Sequence, residues 1–207
     1  LSGGRWRAGM PRSLILTPTL ELAMQTSEYF EAYGKYHKLT QALLIGGVSM
    51  EEQIKKLSRG VDVLIATPGR LLDHFGNGRV ILSDIKILVI DEADRMLDMG
   101  FIHDLRKIVA RVPEQRQTLM FSATMPKEIR ELAKQWLHRP FEVKVTPVAS
   151  TPDLVSQTVY FVEKKQKPMT LRRFLNATAC TRTLVFSRPQ YGADKIARSL
   201  ERRGIPA

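Results

Sequence analysis

Five short apolar runs constrain the fold of this chain more than any other feature. "SLIL" (13–16) leads into Thr17-Pro18-Thr19, "ALLI" (42–45) into Gly46-Gly47, and "VDVLIA" (61–66) into Thr67-Pro68-Gly69-Arg70. "IKILVI" (85–90) leads into Asp91-Glu92, and "TLMF" (118–121) into Ser122-Ala123-Thr124. Near-continuous Val, Ile and Leu is the pattern of strands buried on both faces. Between the runs lie stretches with helical spacing. They are "ELAMQTSEYFEAY" (21–33), "MEEQIKKL" behind a capping box of Ser49 and Glu52, "FIHDLRKIVARV" before Pro113, and "KEIRELAKQWL" with Pro126 at its first helical position. Strand alternating with helix predicts an α/β fold with a doubly wound, mostly parallel sheet. In such sheets ligands bind beyond the carboxyl ends of the strands. All five polar clusters sit at those ends, so the sequence predicts one ligand-binding rim.

The alternation pauses after residue 140. "PFEVKVTPVASTPDLV" is punctuated by proline and lacks helical spacing, as a linker does. The predicted organisation is a first domain over 1–145, a linker over 146–155 and the start of a second domain over 156–207. In the second piece "SQTVYFVE" and "RTLVFS" read as strands, and "KPMTLRRFL" and "YGADKIARSLERRG" as helices. One strand–helix–strand–helix piece is too small to close its own core, so the chain is expected to be cut short at its C-terminal end.

Charge narrows the partners. The net charge is +11, and residues 156–207 carry 11 Lys and Arg against 3 Asp and Glu. Such an excess predicts a polyanion partner, with nucleic acid foremost. No apolar run approaches the roughly 20 residues of a membrane span, and the first residues show no signal-peptide core, so no membrane association is expected. Cys180 is the single cysteine, which excludes an internal disulfide and suits a reducing, cytoplasmic setting. His37, His74, His103 and His138 lack metal-ligand spacing and read as surface or helix residues. Tyr29, Phe30 and Tyr33, at helical spacing, read as core. No basic–aromatic stripe for base stacking is present.

The acidic cluster carries chemistry. A buried strand that ends in adjacent acids can hold Mg²⁺ against a nucleotide, because Mg²⁺ prefers oxygen ligands and keeps several waters. Asp91 would bind the metal, through water, and Glu92 could polarise an attacking water as general base. The competing reading is two acids at the positive end of a helix dipole.

The string "DEADRMLDMGF" (91–101) resembles motif II of the DEAD-box ATP-dependent RNA helicases, and the other clusters agree in order. Thr67-Pro68-Gly69-Arg70 is similar to that family's "TPGR", Gly46-Gly47 to its "GG", Ser122-Ala123-Thr124 to its "SAT" and "PTLELAMQ" to its "PTRELAxQ". "LVFSRPQYGADKIARSLERRGIPA" resembles the opening of its second RecA-like domain. The resemblance implies a RecA-like, P-loop NTPase fold, with ATP and Mg²⁺ as cofactors and RNA as partner. It implies that Asp91 and Glu92 are catalytic. Asp94, Ser122 and Thr124 would join the ATP side to the RNA side. Thr19, Gly46, Gly47, Thr67, Gly69 and Arg70 would line the RNA side, through phosphate contacts that are sequence-tolerant and salt-sensitive.

The chain departs from that pattern in three places. It has no G-x-x-x-x-G-K-[ST] loop, which in the family precedes the first strand seen here and would lie before Leu1. It stops before the family's ATP-site arginines, whose kind of contribution is worth a factor of roughly 10³–10⁵ in rate. Leu20 stands where the family has Arg. The full-length protein is therefore expected to be an ATP-dependent RNA helicase, and this chain alone to be deficient in ATP hydrolysis. The alternative is a non-catalytic RNA-binding remnant or interaction protein.

Overall fold

The structure is a computed structural model that describes residues 10–145, 156, 158–177, 182–188 and 190–207. The chain divides into two compact units, 1–143 and 144–207.

The first unit is built on five parallel strands: β1 (Ser13–Leu16), β2 (Gln41–Leu44), β3 (Val63–Ala66), β4 (Ile87–Ile90) and β5 (Gln117–Met120). Their spatial order is β2-β3-β1-β4-β5. Connecting them are α1 (Leu20–Gly34), α2 (Met50–Ser58), α3 (Pro68–Gly76), α4 (Ala93–Asp98) and α5 (Ile102–Val109), with α6 (Lys127–Trp136) after β5. The step from β1 to β2 runs one way across the sheet and every later step runs the other. With right-handed crossovers, that puts α1 on one face and α2 to α5 on the opposite face.

The two faces are covered unequally. Leu14, Leu16, Ala42, Leu44, Leu64, Ala66, Leu88 and Ile90 point into the large core with Leu57, Leu71, Met96, Leu105, Ile108, Ile129 and Leu132 of the helices. The other face has a small core of Ala23, Ile45, Val63 and Ile65, against which Ile15, Leu20, Phe30 and Leu43 pack. Only β3 is therefore buried along its whole length, whereas β2 and β4 alternate and β5 is half-exposed. The expectation of strands buried on both faces is corrected accordingly: among the described elements of this unit α1 covers the second face, and it lies over β2 and β3.

At the amino ends of the strands sits a buried ion pair. An Arg12 Nη2 hydrogen meets Asp62 Oδ1. The other carboxylate oxygen, Oδ2, accepts from the amide and the hydroxyl of Thr40 at 3.0 and 3.1 Å. The main chain of Asp62 accepts from the amides of Arg12 and Ser13, so this one residue ties the starts of β1, β2 and β3 together.

Some local expectations shift. Ser49 does precede α2, but its side chain makes no capping bond. Pro126, extended at ψ 168°, caps α6 from outside instead of opening it. The buried stripe of α1 runs through Ala23 and Ser27, with Phe30 half-buried; Tyr29 and Tyr33 lie beside it, 54% and 81% exposed, and stack on each other instead of entering the core. His74 is on a helix, as read, but is fully buried.

In the second unit α7 (Lys167–Ala177) and α8 (Gln190–Glu201) form where helices were expected. The described parts of the two expected strand segments, 158–163 and 182–187, carry no strand pairing. Isolated strands without a sheet are marginal in water, which accounts for the difference. The expected linker, 146–155, lies outside the described residues.

Candidate functional site

The carboxyl ends of the five strands carry the five polar clusters, and the strand order sorts them. The ends of β2, β3 and β1 lie side by side and present Gly46-Gly47, Thr67–Arg70 and Thr17–Thr19. The ends of β4 and β5 lie beyond and present Asp91-Glu92 and Ser122–Thr124.

On the first side, Thr19 caps α1, its hydroxyl accepting from the Leu22 amide at 3.4 Å. Thr67 caps α3 by position, with Pro68 opening the helix. The Thr67 amide donates to Leu44 at 3.0 Å, which joins the ends of β3 and β2. Gly46 and Gly47 are exposed, and Gly47 has φ +77°, a conformation that favours glycine. An atom added at either Cα would meet nothing within 4 Å, so the turn is open to a ligand. Arg70 is half-buried, with Nη1 3.7 Å from Met50 Sδ.

On the second side, the Asp91 amide donates to Leu16 at 2.9 Å, and Asp91 Oδ1 accepts from the Glu92 amide at 3.0 Å. Glu92 has φ 49°, ψ 54°, a left-handed conformation that costs an L-residue about 1 kcal/mol. Asp94 is the hub. Its Oδ2 accepts from the Thr124 amide at 2.8 Å and from the Thr124 hydroxyl at 2.7 Å. Its own amide donates to Ser122 Oγ at 3.1 Å, and Ser122 Oγ donates to the Thr124 carbonyl at 2.7 Å. Burial acts to raise the Asp94 pKa, but the Thr124 hydroxyl and amide, then Ser122 and the Arg95 amide, outweigh it and hold the carboxyl below its ordinary value. Asp94, Ser122 and Thr124 thus form one closed ring across the ends of β4 and β5.

The sequence profile of the DEAD/DEAH box helicase family matches residues 5–132. The chain belongs to the DEAD/DEAH box helicase family. It is 39% identical over 196 residues to the DEAD-box ATP-dependent RNA helicase CshA of Streptococcus pneumoniae, covering 95% of this chain and 37% of that protein. It is 42% identical over 197 residues to the ATP-dependent RNA helicase RhlB of Xanthomonas axonopodis pv. citri, covering 94% of this chain and 34% of that protein. A crystal structure of a DEAD box protein from the hyperthermophile Methanococcus jannaschii superposes with a TM-score of 0.62 at 34% identity, over 94% of this chain and 52% of that one. The parallel α/β sheet is accordingly RecA-like. The chain spans about a third of the length of the curated relatives it matches.

For a chain of this family two observations add to the sequence reading. Leu20, where the family pattern has Arg, starts α1 and packs against the small core of Ala23, Ile45, Val63 and Ile65. Gln53 and His74 hold the Gly46-Gly47 turn from behind, through hydrogen bonds at 3.0 and 3.1 Å. Neither residue stood out in the sequence. The signal lies in the spacing: on α3, His74 is one turn after Arg70, and Gln53 follows the glycines within α2. No helix among the described residues is long and apolar enough to cross a membrane.

The donor set suits Mg²⁺. Asp91 is a half-buried carboxylate at the end of β4 whose Oδ1 accepts from the Glu92 amide. Among the described residues no three or more His, Cys, Asp or Glu side chains are arranged to hold a metal ion between them. A single carboxylate fits a cation that keeps several waters and takes its remaining ligands from phosphate.

Proposed function

We propose that this chain is the part of an ATP-dependent RNA helicase that binds RNA along one half of its strand-end rim and serves Mg-ATP along the other. The observation that carries the reading is the hydrogen-bonded ring of Asp94, Ser122 and Thr124, beside Asp91-Glu92 and next to the glycine- and hydroxyl-lined ends of β1 to β3. Residues 1–145 are read as the first RecA-like domain without its N-terminal part, 146–155 as a linker and 156–207 as the start of the second. The setting is read as cytoplasmic.

Each group has a role that follows from its chemistry. Asp91 would hold Mg²⁺ through water, and the bound Mg-ATP would supply the phosphoryl group and charge neutralisation. Glu92, at the first turn past β4, would take the proton of the attacking water. Thr19, Gly46, Gly47, Thr67, Gly69 and Arg70 would contact phosphates and sugars. Amides and hydroxyls donate one bond each, and Arg70 can fork onto a phosphate. None of these contacts reads a base, so binding is sequence-tolerant. The Asp94 ring would couple the two halves in combination with β4: it holds the end of β4 to the residues after β5, and the Asp91 amide bonds the same end to Leu16 of β1, where the RNA half begins. Full duplex unwinding would need the second domain to close on both ligands.

The sequence has no phosphate-binding loop of the G-x-x-x-x-G-K-[ST] kind. The expected behaviour of this chain is salt-dependent binding of single-stranded RNA with no RNA-stimulated ATP turnover above a Glu92→Gln control. Turnover that Glu92→Gln abolishes would overturn the account of the ATP half. RNA affinity unchanged by Arg70→Ala would overturn the account of the RNA half.

A further inference from the structure

We infer that His74 is a positioning residue for the RNA half of the rim: through Gln53 it locks the Gly46-Gly47 turn to the helix that carries Arg70. This rests on the RNA reading above for its purpose, though not for its geometry. Strands β2 and β3 are paired only as far as the bond from Thr67 to Leu44. Beyond it Gly46, Gly47, Val48 and Ser49 are exposed. Two adjacent glycines have wide backbone freedom, so without a tether the turn would wander relative to α3.

Gln53 is that tether. It is 3% exposed, and its amide nitrogen donates to the carbonyls of Ile45 at 3.0 Å and Val48 at 3.4 Å, on either side of the glycines. Both amide hydrogens are spent, so its orientation is fixed and Oε1 faces His74 Nε2, 3.1 Å away. A carbonyl oxygen only accepts. The imidazole must therefore carry its proton on Nε2 and donate. Its other nitrogen, Nδ1, is buried and has no hydrogen-bond partner among the described residues, so a second proton there would meet no acceptor among them. Burial first, then the charges of Arg79 and Arg70, with Asp73 opposing, keep the ring's pKa below its ordinary value. His74 is thus a neutral donor of one tautomer at neutral pH. It lies one helical turn from Arg70, so the guanidinium and the glycine turn are held in one frame: Arg70, His74, Gln53, Ile45 and Val48 carbonyls.

The lock is tested by comparing the chain with His74→Phe, which keeps the ring's bulk, and His74→Gln, which returns an amide donor near the Nε2 position. Binding of a short oligouridine is measured across a salt series, and amide hydrogen exchange is followed at Gly47 and Val48. His74→Phe is expected to speed exchange at these amides about tenfold and weaken RNA binding roughly threefold to tenfold, the equivalent of one hydrogen bond. The salt slope stays unchanged, because no phosphate contact is lost. His74→Gln recovers most of both. Arg70→Ala, by contrast, lowers the slope by about 0.7. Unaltered exchange in a folded His74→Phe overturns the proposal, and a lowered salt slope would make His74 a phosphate ligand instead. Should His74→Phe fail to fold, nitrogen NMR of the unaltered chain decides: a neutral ring protonated on Nε2 is required, and an Nδ1-protonated or charged ring refutes it. If the unaltered chain binds no RNA, the RNA reading fails, while the lock still stands or falls on the exchange rates.

Discussion

Thr124→Val is the most informative single change at the rim. Valine keeps the shape of threonine and leaves the backbone amide bond to Asp94 Oδ2, at 2.8 Å, in place. It removes only the hydroxyl donor at 2.7 Å. A hydrogen bond to a charged group is worth roughly 1.5–3 kcal/mol when shielded, and Thr124 is exposed, so solvent screening brings the expected loss to about 1 kcal/mol. The Ser122 bonds to the Asp94 amide and the Thr124 carbonyl do not involve the lost group and persist. Urea unfolding followed by circular dichroism should show a lower midpoint at an unchanged slope, and melting should fall by about 4 °C.

The pH dependence supplies the sharper check. The Asp94 carboxyl is held below its ordinary pKa in the folded chain. The folded state therefore binds that proton less readily than the unfolded state. The stability this confers is fully present above the unfolded pKa of about 4 and is lost as pH falls through the lower folded value. The cost of Thr124→Val should be constant near neutrality and fade below about pH 4. A cost that stays the same into acid, or that is smaller than about 0.3 kcal/mol at neutral pH, would mean that the hydroxyl does not hold the carboxylate.

Two further outcomes follow from the packing. Arg12→Met should cost about 3–4 kcal/mol, since it leaves Asp62 buried and ionised without its cation, and adding Asp62→Leu should recover much of that loss; a cost under about 1 kcal/mol in urea unfolding would show the pair to be solvated. Glu92→Gly should raise the unfolding free energy by about 0.5 kcal/mol through relief of the left-handed conformation, whereas Glu92→Gln should leave it in place, and equal unfolding free energies for the two would remove the case for backbone strain.

What could be read from the sequence follows from the range of each interaction. In the first unit the strands, their polar ends and the longer helices are local patterns, and they appear where the periodicity places them; the two strand segments expected in the second unit carry no pairing, because a strand needs a neighbour that local pattern does not supply. Helix α3 was hidden because Thr67-Pro68-Gly69-Arg70 looks like a turn, although a threonine cap followed by proline is also how a helix begins. Strand order is not local, so the partition of the rim into β2-β3-β1 and β4-β5 could not be read from the runs. Neither could the fate of Tyr29 and Tyr33, which depends on no other described helix of this unit packing over α1 on its face of the sheet. His74 went unrecognised for a related reason: its partner is 21 residues away, on another helix, and only packing brings the two together.

The first turn of α4 shows how the two halves of the rim are joined. Asp94 reaches toward β5 and is held by Thr124. Its neighbour Arg95 acts on the other side. It pairs with Glu92 at 3.8 Å, and its charge reaches Glu21 at the start of α1, past the end of β1. The Glu21 carboxyl is held below its ordinary pKa chiefly by its own amide and the Thr19 hydroxyl, with Arg95 adding to the effect. Thr19 lies in the half of the rim proposed to bind RNA, and Glu92 and Asp94 in the half proposed to serve ATP. β1 is also the strand that pairs with both β3 and β4, and the Asp91 amide bonds to its last residue, Leu16. A shift of the β4 end must therefore strain the Thr124 bonds on one side and the Leu16 bond on the other. Glu92, the proposed general base, stands between Asp91, whose amide is bonded to β1, and Asp94, which is bonded to Thr124 beyond β5.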